Sequence, residues 1–418
     1  MSETRRSALT LYNTMKRAGG RFSPRYAHKV KLFTCGPSVY RPQHLGNYRT
    51  FFYEDILHRY LEYLNYDVLR VLNYTDIEDK SIAEAQHKGL TPEQLTAPIE
   101  EKFVEDCDYL SIRLPPEIPR SSTSVETAAA IIAVLRDKGH AYGHGRDFYF
   151  DPLTFEGFGR LFRLDMSKWP GKKRRFSRDT YPGRRWNLGD FILWHGCGRD
   201  DTVCWDTDIG RGRPAWNVQD PAMIVKHLGT EIDISCGGID NLYRHHDYTI
   251  AVVEGYSGVE LAPWWLHGEH LLVDGSKMSK SKGNVLYPDE LRGRGYDGAA
   301  VRYFFAGRHY RSRLNFTYPA LEQAARDHEE LVGLSSVFTR AEDVDTRVSS
   351  RSAPAELLLK KFDEALGDDL HTDTALPELR RTLLPLAEAK REGRLARDDA
   401  AGLKTALSRI DSVLQIGL

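Results

Sequence analysis

The chain has 418 residues, of which 41% are hydrophobic and 28% charged, and its net charge is −1. This length predicts two or three domains, and the balanced charge excludes a uniformly basic nucleic-acid binder, so any nucleic-acid contact needs a local basic cluster. No apolar stretch reaches membrane-spanning length, and we expect no secretory leader. The cysteines are odd in number and have no framework spacing: Cys35, Cys107, Cys197, Cys204 and Cys236. These features predict a reduced, cytoplasmic, monomeric protein without a membrane partner.

The first predicted unit is a strand, a helix and a second strand. An apolar run predicts a strand over 30–34. Apolar residues then recur at helical spacing: Phe52, Ile56, Tyr60 and Leu64. They predict a helix over 49–64, and the run YDVLRVL predicts a strand over 66–72. This order is typical of a parallel sheet, whose ligands bind beyond the carboxyl ends of strands, where Cys35 and residues 44–47 lie.

The middle of the chain changes character and then returns to a parallel-sheet pattern. Residues 142–215 contain short aromatic strands, predicted at 148–150 and 191–194, and read as an insertion. Buried-strand patterns return at 232–234 and 270–273, so we predict that the insertion splits one parallel sheet.

The last hundred residues lack strand signals and favour a small helical bundle. The charged, serine-rich stretch 340–354 is the best linker candidate within it. We therefore predict four segments: 1–115, the first half of a catalytic α/β domain; 116–215, an inserted subdomain; 216–317, the second half; and 318–418, the bundle.

A cationic loop lies in the second half of the predicted α/β domain. The segment KMSKSKGN has Lys277 and Lys280 three apart, with serines between them. Ammonium groups and hydroxyls bind polyphosphate oxygens, although a basic Ser/Gly loop by itself is commonly an ordinary surface turn. His44 and Asn47 favour the phosphate interpretation, since they lie at a helix start whose dipole attracts anions. Gly46 lets a nucleotide approach the backbone closely.

Two short motifs and several longer segments carry a family resemblance. HLGN at 44–47 is similar to the HIGH signature of class I aminoacyl-tRNA synthetases, and KMSKS at 277–281 matches their second signature. Other segments resemble the cysteinyl-tRNA synthetases in the same order, over about 8–417: TCGPSVY, NYTDIEDK, DFILW, GRPAWNVQDPAM, GGIDNLYRHH and RYFFAGRHYRSRLNF. The resemblance implies an α/β fold of class I synthetase type, with a Rossmann-like parallel sheet, split by an inserted subdomain, and a C-terminal α-helical bundle.

The resemblance also implies ATP-dependent activation of an amino acid. The amino-acid carboxylate attacks the α-phosphate of ATP, which Mg²⁺ accompanies, and yields an aminoacyl-adenylate and pyrophosphate. By resemblance, the catalytic residues at the phosphates are His44, Asn47, Lys277 and Lys280. Those around the rest of the nucleotide are Gly46, Gly238, Asp240, Met278 and Ser279, and those around the amino acid are Cys35, Thr75, Trp216, Asp220 and His245.

The implied zinc site departs from the family pattern. Cysteinyl-tRNA synthetases recognise the substrate thiolate through zinc, which is held by two cysteines, a histidine and a glutamate. Cys35 and His245 match two of these ligands, but Asp220 stands at the second cysteine and Thr249 at the glutamate. Three interpretations stay open: Cys35, Asp220 and His245 hold zinc; Cys236 enters the site; or zinc is absent and the pocket accepts another amino acid. In the last case Asp220 faces a cationic or hydroxylated side chain.

The acceptor of the activated amino acid is open as well. The chain ends about where the bundle ends, so we expect no anticodon-reading domain, as in the family member that joins cysteine to an amino sugar in mycothiol synthesis. A segment within 168–185 is typical either of contact with an RNA acceptor stem or of a solvated loop: Lys172, Lys173, Arg174, Arg175, Arg178, Arg184 and Arg185, with Trp169, Phe176 and Tyr181. The hypotheses are a tRNA ligase, a ligase that makes an amide with a small-molecule amine, and a catalytically idle homologue. Intact HLGN and KMSKS motifs favour an enzyme.

Overall fold

The computed structural model describes residues 9–168, 189–199, 201–279, 282–339 and 352–418. Its first half contains strands Thr10–Asn13 (β1), Ala18–Arg21 (β2) and Lys29–Thr34 (β3), helix Leu45–Tyr63 (α1), strand Asp67–Leu72 (β4), and helices Asp79–Lys88 (α2) and Pro92–Tyr109 (α3). The predicted strand–helix–strand unit is confirmed. Helix α1 begins four residues before the predicted start, because His44 and Asn47 cap it reciprocally.

An antiparallel sheet is inserted after helix Val125–Asp137 (α4). Its strands are Ala141–His144 (β5), Asp147–Phe150 (β6), Phe191–Gly196 (β7), Trp205–Thr207 (β8) and Gly210–Pro214 (β9), in the order β5-β6-β7-β9-β8. Both predicted aromatic strands are confirmed. Phe150 stacks on Phe191 and Phe191 on Tyr248, with ring centroids 4.9 and 3.9 Å apart, so aromatic packing connects the insertion to the second half of the fold.

Two cysteines of the insertion are paired, contrary to the prediction of a fully reduced protein. Cys197 follows β7 and Cys204 precedes β8, and the structure joins them in a disulfide with Cα atoms 6.3 Å apart. The pairing depends on how the loop between the two strands returns, which the sequence spacing did not indicate. The described free thiols are Cys35, Cys107 and Cys236.

The second half returns to the parallel sheet. Its elements are helix Trp216–His227 (α5), strand Ile234–Gly238 (β10), helix Asp247–Ser257 (α6), strands Trp264–Gly268 (β11), Leu271–Val273 (β12) and Ser276–Lys277 (β13), helices Pro288–Gly293 (α7) and Gly298–Ala306 (α8), and strand Leu314–Phe316 (β14). The strand predicted at 232–234 lies further along, at β10. The assignment of 270–273 to the same parallel sheet as β10 is wrong: β12 pairs in parallel with β14 and antiparallel with β13 in a separate sheet, and β11 is the strand that pairs with β10. The short apolar run was ambiguous because its pattern does not identify its partner strand.

The parallel sheet has a switch point between its two central strands. Its order is β11-β10-β3-β4, and every neighbouring pair is parallel. From β3 the chain passes through α1 to β4 on one side, and from β10 it passes through α6 to β11 on the other. The connections therefore diverge between β3 and β10, and a crevice opens beyond their carboxyl ends, where ligands bind in open α/β sheets.

The C-terminal region is helical, as predicted. It contains Tyr318–Thr339 (α9), Ala353–Leu366 (α10), Thr372–Arg391 (α11) and Arg397–Leu414 (α12). Most of the linker candidate 340–354 lies outside the described residues, but its last part is a helix start rather than linker, since the Ser352 hydroxyl caps α10 at the Ala355 amide. Buried Arg302 bonds Asp55 of α1 at 2.6 Å and the Leu414 carbonyl at 2.6 Å, which connects the bundle to the sheet domain. Among the described helices, none combines the length and the apolar character that a membrane crossing requires.

Candidate active site

An open cavity of about 630 Å³ lies beyond the carboxyl ends of β3 and β10. Many of the residues selected from the sequence line it: Cys35, His44, Asn47, Thr75, Trp216, Gly238, Asp240 and His245. Residues from the helix start, from the β10 end and from α5 therefore face one shared space. Lys277, Met278 and Ser279 do not line it, and Lys280 lies outside the described residues.

The start of α1 fixes the imidazole of His44. Its Nδ1 accepts a hydrogen bond from the Asn47 amide at 3.3 Å, and the Asn47 Oδ1 accepts one from the His44 amide at 3.1 Å. Because Nδ1 is an acceptor, the ring proton of the neutral imidazole lies on Nε2. The helix start thus offers an N–H donor together with the positive end of a 19-residue helix.

The cationic loop begins directly against this helix start. A Cβ atom added at Gly46 would lie 2.5 Å from the methyl carbon at the flexible end of Met278 and 3.1 Å from His44 Nδ1, so a larger residue here would displace Met278 and crowd the His44 ring. The Leu45 amide also donates to the Leu286 carbonyl at 2.8 Å. The two motifs, more than 200 residues apart in the sequence, are therefore in contact.

Two hydrogen bonds brace the described part of the loop. The Ser279 amide donates to the Asn284 Oδ1 at 2.8 Å, and the Asn284 amide group donates to the Lys277 carbonyl at 3.3 Å. The Lys277 ammonium lies 3.5 Å from His270 Nε2. In this arrangement Lys277 is exposed and is not among the residues that line the cavity.

The end of β10 forms the cavity wall opposite the start of α1. Gly238 and Asp240 line the cavity, as expected from the sequence. The Tyr53 hydroxyl donates to the Gly237 carbonyl at 2.8 Å and accepts from its amide at 3.1 Å. Because Tyr53 belongs to α1, this bond fixes the two walls relative to each other.

The other end of the cavity is a three-residue cluster. The Cys35 Sγ lies 3.4 Å from Asp220 Oδ2 and 3.1 Å from His245 Nε2, and those two atoms lie 3.0 Å apart. Asp220 and His245 are buried, whereas Cys35 is half-buried at the cavity wall. Thiolate, carboxylate and imidazole are all metal ligands, so this group could hold a metal ion. Cys197, Asp201 and Cys204 also lie close together, but the disulfide occupies both sulfur atoms.

The surroundings of the cluster set its charge and its access. Burial, together with the Asp220 carboxylate, raises the pKa of the Cys35 thiol well above its usual range, so the thiol keeps its proton at neutral pH unless a cation displaces it. Trp216 stacks on the His245 ring with centroids 4.6 Å apart, while 39% of Trp216 stays exposed. Trp216 and Thr75 line the same cavity as Cys35 and His245 of the cluster.

Three further residues clarify this end of the cavity. Thr249, at the position expected for a glutamate, donates its hydroxyl to the His245 carbonyl at 3.0 Å and is not part of the cluster. Cys236 does not enter the cluster either: it is buried near Glu54 and Tyr53, contrary to one of the three interpretations. Sequence reasoning missed Asn73, whose amide group donates to Asp220 at 3.0 Å. Only the pairing of β3 with β4 brings Asn73 there, and no local pattern indicated it.

The basic and aromatic segment expected to contact RNA lies almost entirely outside the described residues, which resume at residue 189. Lys168, at its edge, is exposed and pairs with Asp165 at 3.0 Å. Contact between this segment and RNA stays a prediction.

Solved structures identify the class to which this fold belongs. The Mycobacterium tuberculosis methionyl-tRNA synthetase in complex with methionyl-adenylate matches with a TM-score of 0.65 at 15% identity, over 93% of this chain and 90% of that one. The LeuRS–tRNA–LeuAMS ternary complex of Agrobacterium radiobacter K84 matches with a TM-score of 0.64 at 11% identity, over 94% and 85%. The fold is that of the class I aminoacyl-tRNA synthetases.

Sequence comparison identifies the family within this class. The family model described as "tRNA synthetases class I (C) catalytic domain" matches residues 21–326. The cysteine–tRNA ligase of Chlamydia pneumoniae is 36% identical over 98% of this chain and 86% of its own length, and that of Protochlamydia amoebophila is 35% identical over 88% and 77%. The chain belongs to the class I cysteine-type tRNA synthetase family and is an ATP-dependent ligase of the cysteine–tRNA ligase type, as its motifs predicted.

Proposed function

We propose that this protein uses ATP to convert an amino acid into an aminoacyl-adenylate and then transfers the aminoacyl group to a tRNA. The observation that carries the proposal is the single cavity that joins the capped start of α1 to the Cys35–Asp220–His245 cluster. A substrate in this cavity can place its carboxylate at the phosphates and its side chain at the cluster. The two ends perform different tasks and are taken in turn.

At the nucleotide end, the protein stabilises charge and performs no covalent chemistry. The amino-acid carboxylate attacks the α-phosphorus of ATP, the bond to the bridging oxygen breaks, and pyrophosphate leaves with Mg²⁺. His44 donates from Nε2, Asn47 donates from its side-chain NH₂ group, and the helix dipole adds positive potential, all where negative charge develops. Lys277 and Lys280 bind the departing phosphates when the loop moves over the cavity.

The adenosine lies against the β10 wall in this proposal. Gly238 leaves room for the nucleoside, and the Asp240 carboxylate accepts hydrogen bonds from it. The Tyr53 hydrogen bonds to Gly237 hold this wall in place before the nucleotide binds. Little conformational entropy of the wall is therefore lost when adenosine binds.

The cluster at the other end has the composition and spacing of a zinc site with an open position. Ligand atoms that share a tetrahedral zinc lie roughly 3.3–3.6 Å apart, as ordinary bond lengths require. The three separations of 3.0–3.4 Å between Cys35, Asp220 and His245 come within a few tenths of an ångström of these values. Zinc bound here supplies a Lewis acid that accepts a thiolate in preference to a hydroxyl. Only three protein ligands hold it, because Thr249 bonds the main chain instead.

The state of this cluster decides the substrate. If Cys35, Asp220 and His245 held zinc, the ion would favour cysteine, because a thiolate is a better zinc ligand than a hydroxyl. Without zinc, Asp220 and His245 form a polar pocket for a hydroxylated or cationic side chain. In both cases Thr75 and Trp216 border the side chain as it enters.

ATP–pyrophosphate exchange with each amino acid, on protein whose metal content has been measured, tests the proposal. We expect exchange with one amino acid, and cysteine is expected if zinc is bound in a one-to-one ratio. Absence of exchange with every amino acid, in protein that is folded by circular dichroism, contradicts adenylate formation.

A second candidate is transfer to a small-molecule amine rather than to tRNA. The replacements at Asp220 and Thr249 concern the amino-acid side chain and leave the acceptor open. Aminoacylation of total tRNA, compared with amide formation on added amino sugars and amines, separates the two acceptors. Salt-sensitive tRNA binding that is lost when Lys172–Arg175 are neutralised supports the tRNA acceptor.

A further inference from the structure

Asn73 is buried behind the three-residue cluster, with none of its surface exposed. It follows β4, and its side chain lies between the turn after β3 and helix α5. The Gly36 backbone amide donates to Asn73 Oδ1 at 3.0 Å, and Asn73 Nδ2 donates to Asp220 Oδ1 at 3.0 Å. One side chain thus connects the residue next to Cys35 with Asp220.

The orientation of this amide is determined by its partners. A backbone N–H can only donate, so the oxygen of Asn73 must face Gly36 and its NH₂ group must face Asp220. The main chain is equally constrained, because a Cβ at Gly36 would overlap the Asn73 carbonyl oxygen. Asn73 cannot flip without leaving the half-buried Gly36 amide and the buried Asp220 Oδ1 unpaired.

This fixed amide divides the two oxygens of Asp220. Oδ1 is held by Asn73, and Oδ2 is left 3.4 Å from Cys35 Sγ and 3.0 Å from His245 Nε2. A carboxylate that rotated freely would alternate between its oxygens and lose ordering free energy on binding an ion. The hydrogen bond removes that rotation.

We propose that Asn73 is a positioning residue that makes Asp220 a metal ligand, by holding Oδ1 so that Oδ2 faces Cys35 and His245. The inference rests on the proposed function and assigns the metal-site geometry to an interaction specific to aspartate at position 220. A cysteine there has a single sulfur atom, which can accept a hydrogen bond from the amide but has no second ligand atom to hold, so we expect Asn73 to matter more beside a carboxylate than beside a thiolate. Residues that support metal ligands in this way change metal affinity about 10–100-fold when removed.

A double-mutant cycle on the full-length chain tests the assignment. Zinc affinity is measured with Zn²⁺ alone, by competition with a chromophoric chelator, for the wild type, Asn73→Leu, Asp220→Cys and the double variant. We expect Asn73→Leu to weaken zinc binding about 10–100-fold beside Asp220. In the Asp220→Cys background the same change should weaken zinc binding less, and the two effects should differ by clearly more than the about twofold scatter of additive changes.

The cycle separates positioning from simple bracing. Loss of the Gly36 bond occurs in both backgrounds, so a purely structural Asn73 gives equal effects in both and overturns the inference. An unchanged affinity for Asn73→Leu, or the absence of zinc binding by the wild type, overturns it as well. Absence of ATP–pyrophosphate exchange would refute the proposed function. It would not refute the role of Asn73, because the double-mutant cycle measures zinc affinity and not exchange.

Asp220→Asn provides a second test that does not depend on the folding of Asn73→Leu. Asn73 still donates to the introduced carbonyl oxygen, which forces the introduced NH₂ group towards Cys35 and His245, where it cannot bind a cation. We expect zinc binding to weaken more than 100-fold with an unchanged thermal midpoint. Binding that stays within tenfold of the wild type means that the introduced amide flips, and it overturns the inference.

Discussion

The two ends of the cavity are built in different ways. The nucleotide end consists of a helix start, a glycine and strand ends, so much of it is backbone whose geometry follows from secondary structure. The side-chain end consists of Cys35, Asp220 and His245, which come from three distant segments and touch only through their side chains. The first end keeps the family motifs, and the second departs from them at two positions. Backbone-built sites tolerate little change, whereas a side-chain cluster can acquire a new selectivity by a single substitution.

This difference predicts that substitutions can impair the nucleotide end and the side-chain end separately. The largest loss of activity is expected for substitution of His44. His44→Asn keeps the helix cap, because asparagine is a strong capping residue, but removes the imidazole donor. We expect ATP–pyrophosphate exchange to fall about 100–1,000-fold, the usual effect of losing a donor to developing charge. His44→Ala should lose a similar rate and also about 1 kcal/mol of stability. Near-normal exchange by His44→Asn would show that His44 acts only as a cap.

Substitution of Asp220 should give the next largest effect, and only the KM for the amino acid should change. Asp220→Ala removes a charged partner worth about 1.5–3 kcal/mol, so the KM for the amino acid should rise about 10–100-fold. The KM for ATP should change by no more than about twofold, since the ends are separate. Thr249→Ser is the matched control, because its hydroxyl bonds only the main chain in the described structure. Equal changes in both KM values contradict the separation.

Contact between the two motifs predicts a smaller effect at Gly46. Gly46→Ala directs a methyl group at the flexible end of Met278 and crowds the His44 ring, and we expect exchange to fall by no more than about tenfold. Met278→Ala in the same chain removes the obstructing methyl group and should recover most of the rate. If the double variant is no better than Gly46→Ala, the contact with the loop does not limit activity.

Glu54 predicts an effect on stability without an effect on the site. It lies in α1, is fully buried, and both its carboxylate oxygens lack a hydrogen bond among the described residues. Burial raises the pKa of Glu54 from its ordinary 4.5 to about 8, although Arg70, 3.9 Å away, opposes the shift. The native state then keeps a proton that the unfolded state releases between those values. This group therefore lowers the free energy of unfolding as pH rises from 4.5 to 8, by at most about 1.4 kcal/mol per pH unit.

The comparison of wild type with Glu54→Gln isolates this contribution. Unfolding in urea at several pH values should give a difference between the two proteins that shifts in favour of Glu54→Gln from pH 5 to pH 8. A difference that is constant with pH contradicts the raised pKa. Exchange activity at a fixed pH should be the same for both proteins.

The sequence could predict what depends on neighbours along the chain. The α1 helix, its His44–Asn47 start and the aromatic strands of the insertion follow from local periodicity and capping, and all are confirmed. Cys35, Asp220 and His245 were brought together by family resemblance, and local spacing could not have paired them. Partner-dependent features were wrong or missed: β12 was assigned to the parallel sheet, and the Cys197–Cys204 disulfide and Asn73 were not found. Each depends on a partner whose position only the tertiary fold determines.

Direct detection of the intermediate tests the central claim most closely. The protein is incubated with ATP, Mg²⁺, an amino-acid mixture and pyrophosphatase, without tRNA, and the enzyme-bound products are analysed by mass spectrometry. The account predicts an amino acid joined to AMP, in amounts that fall together with exchange in His44→Asn. Consumption of ATP to ADP, or recovery of ATP unchanged with every amino acid, would contradict it.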